Sequence, residues 1–596
     1  MIDRTTKLRW RRRFRRSKKQ VEEFGSQTDD NLEKHFFGRL SKLAKVRRFV
    51  ASWIILLGLL VGGVFYQARA LGQYYLQPTP TPGGIFTEGV VGTFTNISPL
   101  YATGNVDGSV ERLVFSGLLK FDQNNKLVGD LAQGWSVDET GKIYTVTLKD
   151  DIFWHDGQTL TTEDVVFTYK MIQNPDAKSP LASSWQGIKV SASDESTVVF
   201  TLPSILSAFP YSLTNGIVPK HVLDNTPPSQ LRSSPFNTRN PIGSGPYKWE
   251  AVEVTTVNED AREQRIALVP NPLYKDGAPK IDRFIMRSFS SEERLSKALI
   301  NREVNAAAGL STLPEPLKND LSTKSYNVPL TSEVMTFYKT TSEMFNDVKV
   351  RQALTLGIDV GSILVDLGRP VLPAYGPLLK GQIGYDPAIK QQTNDKVQAA
   401  KLLDEAGWTV KKNDNKRYKD NQQLTFTLTT QDNPTYRHVA DELKKQWYDL
   451  GVVVTVVPLR EADLQSALVG HTYDALLYGI SLGADPDVFA YWHSSQASLQ
   501  SASRLNFSEY QSIASDTALE GGRTRSEDYV RTAKYKPFLE AWQQDVPALA
   551  LYQPRYLYVV RDVLDGFSPT SMNSGADRFN NVQNWMIRIT NQPIKD

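Results

Sequence analysis

The sequence predicts a mixed α/β protein beyond a single transmembrane helix, and three observations carry that prediction. Residues 394–480 alternate helix and strand signals at βαβ spacing, which argues for a mixed or parallel sheet with helices on its faces. Residues 49–68, FVASWIILLGLLVGGVFYQA, hold no charge. With 596 residues, the chain is too long for one hydrophobic core, so two or three lobes are expected.

The formal charge of +3 averages two unlike parts. Residues 1–48 hold 16 Lys+Arg against 6 Asp+Glu, and the remainder carries a net charge of −7. At about 1.5 Å per residue the apolar stretch reaches roughly 30 Å, the thickness of a bilayer core. Trp53 and Tyr66 stand near its ends as interfacial aromatics do. The basic flank orients residues 1–48 to the cytoplasm and everything after the span to the outside. Ala68-Arg69-Ala70 also fits a cleavage site, although the long preceding region favours a retained anchor. Gly58 and Gly62 form a weak GxxxG pattern. The tail sequence RWRRRFRRSKK, with Leu32, Phe36, Leu40 and Leu43 at helical spacing, reads as a surface for anionic lipid headgroups rather than for nucleic acid.

After the span, QPTPTPGG (77–84) is an extended, proline-rich spacer, and folded structure is expected from about Ile85. A strand, a turn-rich loop (96–105) and a helix carrying Val110, Leu113, Val114 and Leu118 follow. KIYTVTL (142–148) alternates as a strand, and Thr161/Thr162 with Glu163 and Asp164 opens a helix. A return strand occupies 197–202, and PIGSGPY (241–247) makes a rigid turn. Later come a helix at 396–406 stopped by Gly407, a strand at 424–430 and a helix through Tyr436, Val439, Leu443 and Trp447 stopped by Gly451. The strand 452–457, the short helix 461–469 and the strand 473–480 complete the series.

That last strand loosens into Gly479-Ile480-Ser481-Leu482-Gly483. Asp485-Pro486-Asp487 then reads as a helix start, with Asp485 as N-cap and Pro486 in the first turn. A strand ending in a glycine-bearing crevice beside a helix N-terminus is where open α/β sheets hold ligands. An ordinary strand–loop–helix junction is the alternative.

Catalytic signals are thin. The chain has no cysteine, which excludes thiol nucleophiles, disulfides and Cys-based metal sites. The six histidines are scattered, and no HExxH, GxSxG or Walker-type loop occurs. His155-Asp156 beside Gly157 reads as a turn more readily than as a metal site. Gly243-Ser244-Gly245 lacks a His/Asp partner for a nucleophile. No catalytic residue, metal or cofactor is therefore expected.

Nine segments together resemble the family 5 extracellular solute-binding proteins, the oligopeptide- and dipeptide-binding receptors of ABC importers. In order they are VFSGLLKF (114–121), LAQGW (131–135), IFWHDGQTLTTEDVVFTY (152–169), PIGSGPY (241–247), NPLYKDGAPKID (271–282), FNDVKVRQALTLGID (345–359), AYGP (374–377), AAKLLDEAGW (399–408) and DPDVFAYWHSS (485–495). The resemblance implies a two-lobed, periplasmic-binding-protein-like fold of type II in its three-part form, after the transmembrane helix. Its divisions would be a basic cytoplasmic tail (1–48), the transmembrane helix (49–68) and a linker (69–84). Lobe I would gather 85–125, 215–336 and 553–596, with an inserted subdomain at 126–214 that carries the HDG motif; lobe II would span 337–552. The implied partners are a peptide or peptide-like ligand held between the lobes and the permease subunits of an importer, with the membrane engaged by the N-terminal helix and tail. Ligand-facing residues carried over are Thr103, Gly104 and Asn105 on one side and Gly479, Ser481, Leu482, Gly483 and Asp485 on the other. Trp185 falls near a pocket-lining aromatic. One departure stands out: peptide-binding members place an amine-holding aspartate where this chain has Leu482. Either Asp485, another acid or an altered register supplies that charge, or the ligand is a different solute, such as a nickel chelate or a sugar. A ligand sensor signalling through the tail is the other functional alternative.

Overall fold

A computed structural model describes residues 47–256, 262–411, 414–498, 501 and 504–593. The readings made for residues 1–46, including the headgroup-binding surface, lie outside them. The chain divides into two compact units, Met1–Thr79 with Ile589–Asp596, and Pro80–Arg588.

In the first unit a helix runs over Arg47–Tyr75. Its segment Arg48–Arg69 has a mean hydropathy of 2.2 and buries nothing within the protein, so it is long and apolar enough to cross a membrane. The helix continues beyond Arg69, and the proline-rich segment Leu76–Thr81 then pairs with Arg588–Pro593 as a two-stranded ribbon. Pro78 and Pro80 are tolerated because both strands of such a ribbon are edges.

The second unit is organised by a twelve-stranded mixed sheet. Its longest strand, Ala548–Arg561, belongs to two neighbourhoods. Residues up to Pro554 pair with Ser332–Tyr338 and Val371–Pro373. From Arg555 on, the partners are Thr323–Pro329 and Ala306–Leu310. Both ends of the strand are buried, whereas residues 553–556 are only half-buried. Leu330 and Thr331 make the matching passage on the neighbouring chain segment, where Leu330 N donates to Pro554 O at 3.0 Å.

On one side of this passage stands the βαβ unit that the sequence pattern implies. Thr425–Gln431 lies between Val453–Leu459 and Ala475–Ser481, parallel to both. Helix Pro434–Asp449 connects the first two strands. The Asn433 side chain caps it by accepting from Thr435 N and Tyr436 N, and Pro434 occupies the first turn, where a missing N–H costs nothing. Its Val439, Ala440, Leu443 and Trp447 are buried against the sheet. Gly451 ends the connection at φ +84°, a conformation that any side chain would strain.

On the other side, Ile85–Val91 pairs in parallel with Arg283–Phe289 and Ala306–Leu310. A separate four-stranded antiparallel sheet (Ala132–Val137, Ile143–Leu148, Thr197–Thr201, Lys189–Ala192) carries helix Thr162–Gln173. The side chains of Thr161 and Asp164 close a reciprocal capping box at that helix start.

The first strand is fastened to the last segments of the chain by a fully buried ion pair. Arg578 donates to Glu88 Oε1 through Nε at 3.1 Å and Nη2 at 2.5 Å, and Tyr558 donates to Oε2 at 2.6 Å. Both charged side chains are 0% exposed. Arg578 Nη2 also donates to Ser109 Oγ at 3.1 Å, so helix Asn105–Val114 is tied to the same cluster.

Candidate ligand site

Thr103, Gly104 and Asn105 are exposed at the start of helix Asn105–Val114. Gly104 provides no side-chain cap. The nearby Asp107 carboxylate is taken up by Thr95, accepting from its N at 2.7 Å and its Oγ1 at 2.5 Å. The three residues line a cavity of about 280 Å³ together with Tyr556, Gly575 and Arg578. Glu111 and Arg112 border this cavity and also a second one, of about 310 Å³, lined by Trp185, Tyr211 and Asn215. Burial pushes the Glu111 carboxyl up to about 7 against the pull of Arg112, which leaves it able to change charge near neutrality.

Trp185 borders the second cavity, but its ring is only 2% exposed. It stacks on Tyr169 at 4.1 Å between centroids and packs against Phe200 and Phe209. The expected pocket-lining aromatic is first of all a core side chain, because an indole recovers more from a closed aromatic cluster than from a wet cavity wall.

Gly479 and Ser481 line a third cavity, of about 380 Å³, with Tyr478, Tyr491 and Arg504. At Gly479 a Cβ would come within 2.6 Å of the Tyr436 hydroxyl, so the glycine makes room for a phenol. Ser481 O accepts from Tyr491 Oη at 2.8 Å. The amides of Leu482 and Gly483 both donate to Thr331 O, at 2.9 and 3.1 Å. Gly483, at φ +72°, offers its carbonyl to Gln382 Nε2 at 2.9 Å. Leu482 is 6% exposed within an apolar cluster. These backbone groups fasten the strand end to the passage between sheet halves, and the Leu482 and Gly483 amides are already engaged there.

Two expectations at the Asp-Pro-Asp turn are corrected. The helix begins at Phe489, not at Pro486, and its N-cap is Val488. Asp485 faces inward, where Arg531 donates to both its oxygens at 2.7 and 2.8 Å. Its Oδ1 also accepts from Asp487 N at 3.0 Å, so the carboxylate closes a local turn and a buried ion pair at once. Asp485 therefore has no charge left for a ligand. Asp487 accepts from Arg523 Nη2 at 3.1 Å, and the Arg523 guanidinium lies 4.0 Å over the Phe489 ring.

The same Arg523 ends helix Ile513–Arg523, and its carbonyl accepts from both N and Oγ of Ser207, each at 2.9 Å. Ser207 follows strand Thr197–Thr201, so this contact joins the antiparallel subdomain to the turn-and-helix assembly. Arg531 is close enough to Tyr144 and Tyr211 of that subdomain to act on their phenols. Sequence reasoning missed Ser207, Arg523 and Arg531; a lone basic residue on the buried face of a helix was the only available signal.

Next to the strand end, Glu333 opposes Ile480 across the ladder. It is 0% exposed, and neither carboxyl oxygen has a hydrogen-bond partner. Burial alone holds its carboxyl well above the ordinary 4.5. Above pH 4.5 the unfolded chain releases this proton while the folded protein keeps it, so stability is lost as pH rises through that window. Glu333→Met should raise stability at neutral pH by about 1–3 kcal/mol, the cost of an unsatisfied buried group, and flatten this dependence. Urea unfolding at pH 5 and pH 8 measures both; an identical effect of the substitution at the two pH values, or a loss at pH 8, would contradict the assignment.

The HDG motif is a connector. His155 N donates to Gly243 O at 2.8 Å, Gly243 N donates to His155 Nδ1 at 3.2 Å, and His155 Nε2 lies 3.1 Å from Gly245 O. Burial lowers its pKa to about 4. Asp156 accepts from Gln158 N at 3.1 Å and contacts His221 at 2.8 Å. Among the described residues no group of three His, Cys, Asp or Glu is placed to hold a metal.

Two sheet halves joined by a shared strand, with cavities at the strand ends and helix starts, define an extracytoplasmic solute-binding fold. The chain belongs to the bacterial extracellular solute-binding proteins, family 5, whose middle-region model matches residues 126–501. It is 27% identical over 518 residues to the oligopeptide-binding protein AppA of Bacillus subtilis, covering 85% of this chain and 92% of that one. The structure of Bacillus subtilis AppA in complex with a nonapeptide superposes with a TM-score of 0.69 at 26% identity, over 86% of this chain and 100% of AppA. NikZ from Campylobacter jejuni, solved in complex with Ni(L-His), gives 0.70 at 28% identity, over 84% and 99% of the two chains.

Proposed function

We propose that this protein is a membrane-anchored receptor of an ABC importer that captures peptides or peptide-like solutes outside the cell. The supporting observation is family membership across the cleft-forming region together with likeness to a nonapeptide-bound relative. The lobes are the two halves of the large sheet, and the strand Ala548–Arg561 with the Leu330–Thr331 passage is their hinge. Ligand enters between the cavity at Thr103–Asn105 and the cavity at Gly479–Ser481. Closure is held by the contact of Ser207 with the end of helix Ile513–Arg523, and no bond in the ligand is broken. Arg48–Arg69 holds the receptor at the membrane with its binding region outside.

A second reading, a receptor for a metal chelate, is favoured by one observation. Leu482 is apolar and Asp485 is engaged by Arg531, so neither offers an acid to a peptide amine. Calorimetry of the detergent-solubilised full chain separates the readings. A mixed pool of tri- to nonapeptides should bind and be recovered intact by mass spectrometry. Binding of Ni(L-His) with no peptide response would reverse the choice.

A further inference from the structure

Two cavities meet on one stretch of helix Asn105–Val114. The first, of about 280 Å³, runs along Thr103–Asn105. The second, of about 310 Å³, shares Ala102, Glu111 and Arg112 with it but none of residues 103–105. Glu111 and Arg112 therefore stand where the second cavity opens off the first. Beyond them, Leu181 and Tyr211 give the second cavity apolar wall, and Ser184 and Asn215 give it polar groups.

Three charged side chains line the two cavities, and two of them are taken. Arg578 is paired with Glu88. Arg112 Nη2 lies 3.6 Å from Asp577 Oδ1. Glu111 enters no ion pair among the described residues. Its carboxyl is seated against Gly216, where a Cβ would come within 2.5 Å of Glu111 Oε1, so any larger residue at 216 would displace it. Burial is the largest influence on this carboxyl and Asp577 adds to the rise, while Arg112 and the Gly216 backbone pull the other way. The other titratable groups on the cavity walls, Tyr211 and Tyr556, are phenols that burial keeps neutral. An acid so placed, without a counter-charge of its own, gains its charged form when a cation reaches it.

We propose that Glu111 receives the ammonium group of a lysine side chain of the captured peptide, at the mouth of the second cavity. This rests on the peptide reading given above. A side chain suits the place because the cavity branches away from the strip Thr103–Asn105. Lysine's flexible four-carbon stem reaches sideways from a main chain lying on that strip. Its ammonium carries three donors; the carboxylate takes one, and the space beyond leaves room for water on the others. Position 111 would thus select among peptides by the charge of one side chain.

The test uses calorimetry on the full-length protein in detergent with two pools of tri- to nonapeptides that share the same free termini. One pool carries lysine at a single interior position and the other norleucine. At pH 7.5 the lysine pool should bind at least about tenfold tighter, the difference one charge-assisted contact makes. That advantage should shrink by about tenfold toward pH 5.5, where the free carboxyl is protonated and the cation must first expel its proton to solvent. Glu111→Gln should leave the two pools equal at both pH values; if that variant does not fold, the pH dependence of the wild type decides. Equal affinity of the wild type for both pools overturns the site and leaves the peptide reading intact. A lysine preference that is flat in pH, or that survives Glu111→Gln, also overturns it, since another acid would then hold the cation. If neither pool binds, the peptide reading fails, and thermal unfolding in butylammonium chloride against sodium chloride decides the site alone. A butylammonium-induced rise that Glu111→Gln abolishes supports it; identical behaviour of the two proteins overturns it.

Discussion

Glu88→Ala should lower the stability of the folded domain by about 3–5 kcal/mol, the usual cost of removing one partner from a buried ion pair. The loss does not come mainly from the vanished attraction. It comes from Arg578, which is 0% exposed and would keep its charge with no counter-charge. Tyr558, now donating to Glu88 Oε2 at 2.6 Å, would lose its acceptor in the same step. A double variant, Glu88→Met with Arg578→Met, should recover most of the loss, because an apolar pair of similar volume removes the stranded charge. Urea unfolding followed by tryptophan fluorescence gives both values. A loss below about 1 kcal/mol, typical of an exposed pair, would show that the cluster is solvated.

Arg531→Met should be comparably severe, at about 3–5 kcal/mol, and should also steepen a pH response. Asp485 and Asp487 would then share a buried site with only Arg523 nearby. Burial already raises the Asp487 carboxyl, and Arg523 is the main force opposing it. Arg531 opposes that rise too, so without it the Asp487 carboxyl would stand further above its unfolded value. Stability contributed by such groups is present at acid pH and lost as pH rises. The variant should therefore be closest to wild type near pH 4 and furthest from it near pH 8. A wild-type-like difference at both values would mean that Asp485 finds another cation.

The local parts of this fold were legible because they are written locally. Asn433-Pro434 marks a helix start, Gly451 a helix stop, and the apolar positions of Pro434–Asp449 recur at helical spacing. The strand Ala475–Ser481 was readable too, although its start falls two residues later than the pattern suggests. What escaped was chemistry between distant positions. Glu88 and Arg578 are 490 residues apart, and Asp485 and Arg531 are 46 apart; no spacing rule connects either pair. Asp485-Pro486 has the composition of a helix start, but its carboxylate closes a turn at Asp487 N and pairs with Arg531, and the helix begins only at Phe489. Gly479 was readable as a close approach, but not as an approach by Tyr436. Trp185 shows the same limit, since an indole in a core and an indole in a pocket look alike in sequence.

The strand Ala548–Arg561 has a mechanical consequence. It changes partners at Gln553–Arg555, and the residue in the middle, Pro554, has no amide hydrogen to give. Pro554 accepts one bond, from Leu330 N at 3.0 Å, and gives none, so in the receptor proposed above a bend there disturbs few rungs and would let the two halves swing like a door on a pin that is itself part of both frames. The opposite edge adds little: among the described residues, the antiparallel subdomain and the facing half share hydrogen bonds only through Ser207 and the Arg523 carbonyl. A receptor balanced so lightly needs only a modest difference in ligand contacts between open and shut to change which form dominates. The same lightness would let an importer pry it open again to take the cargo.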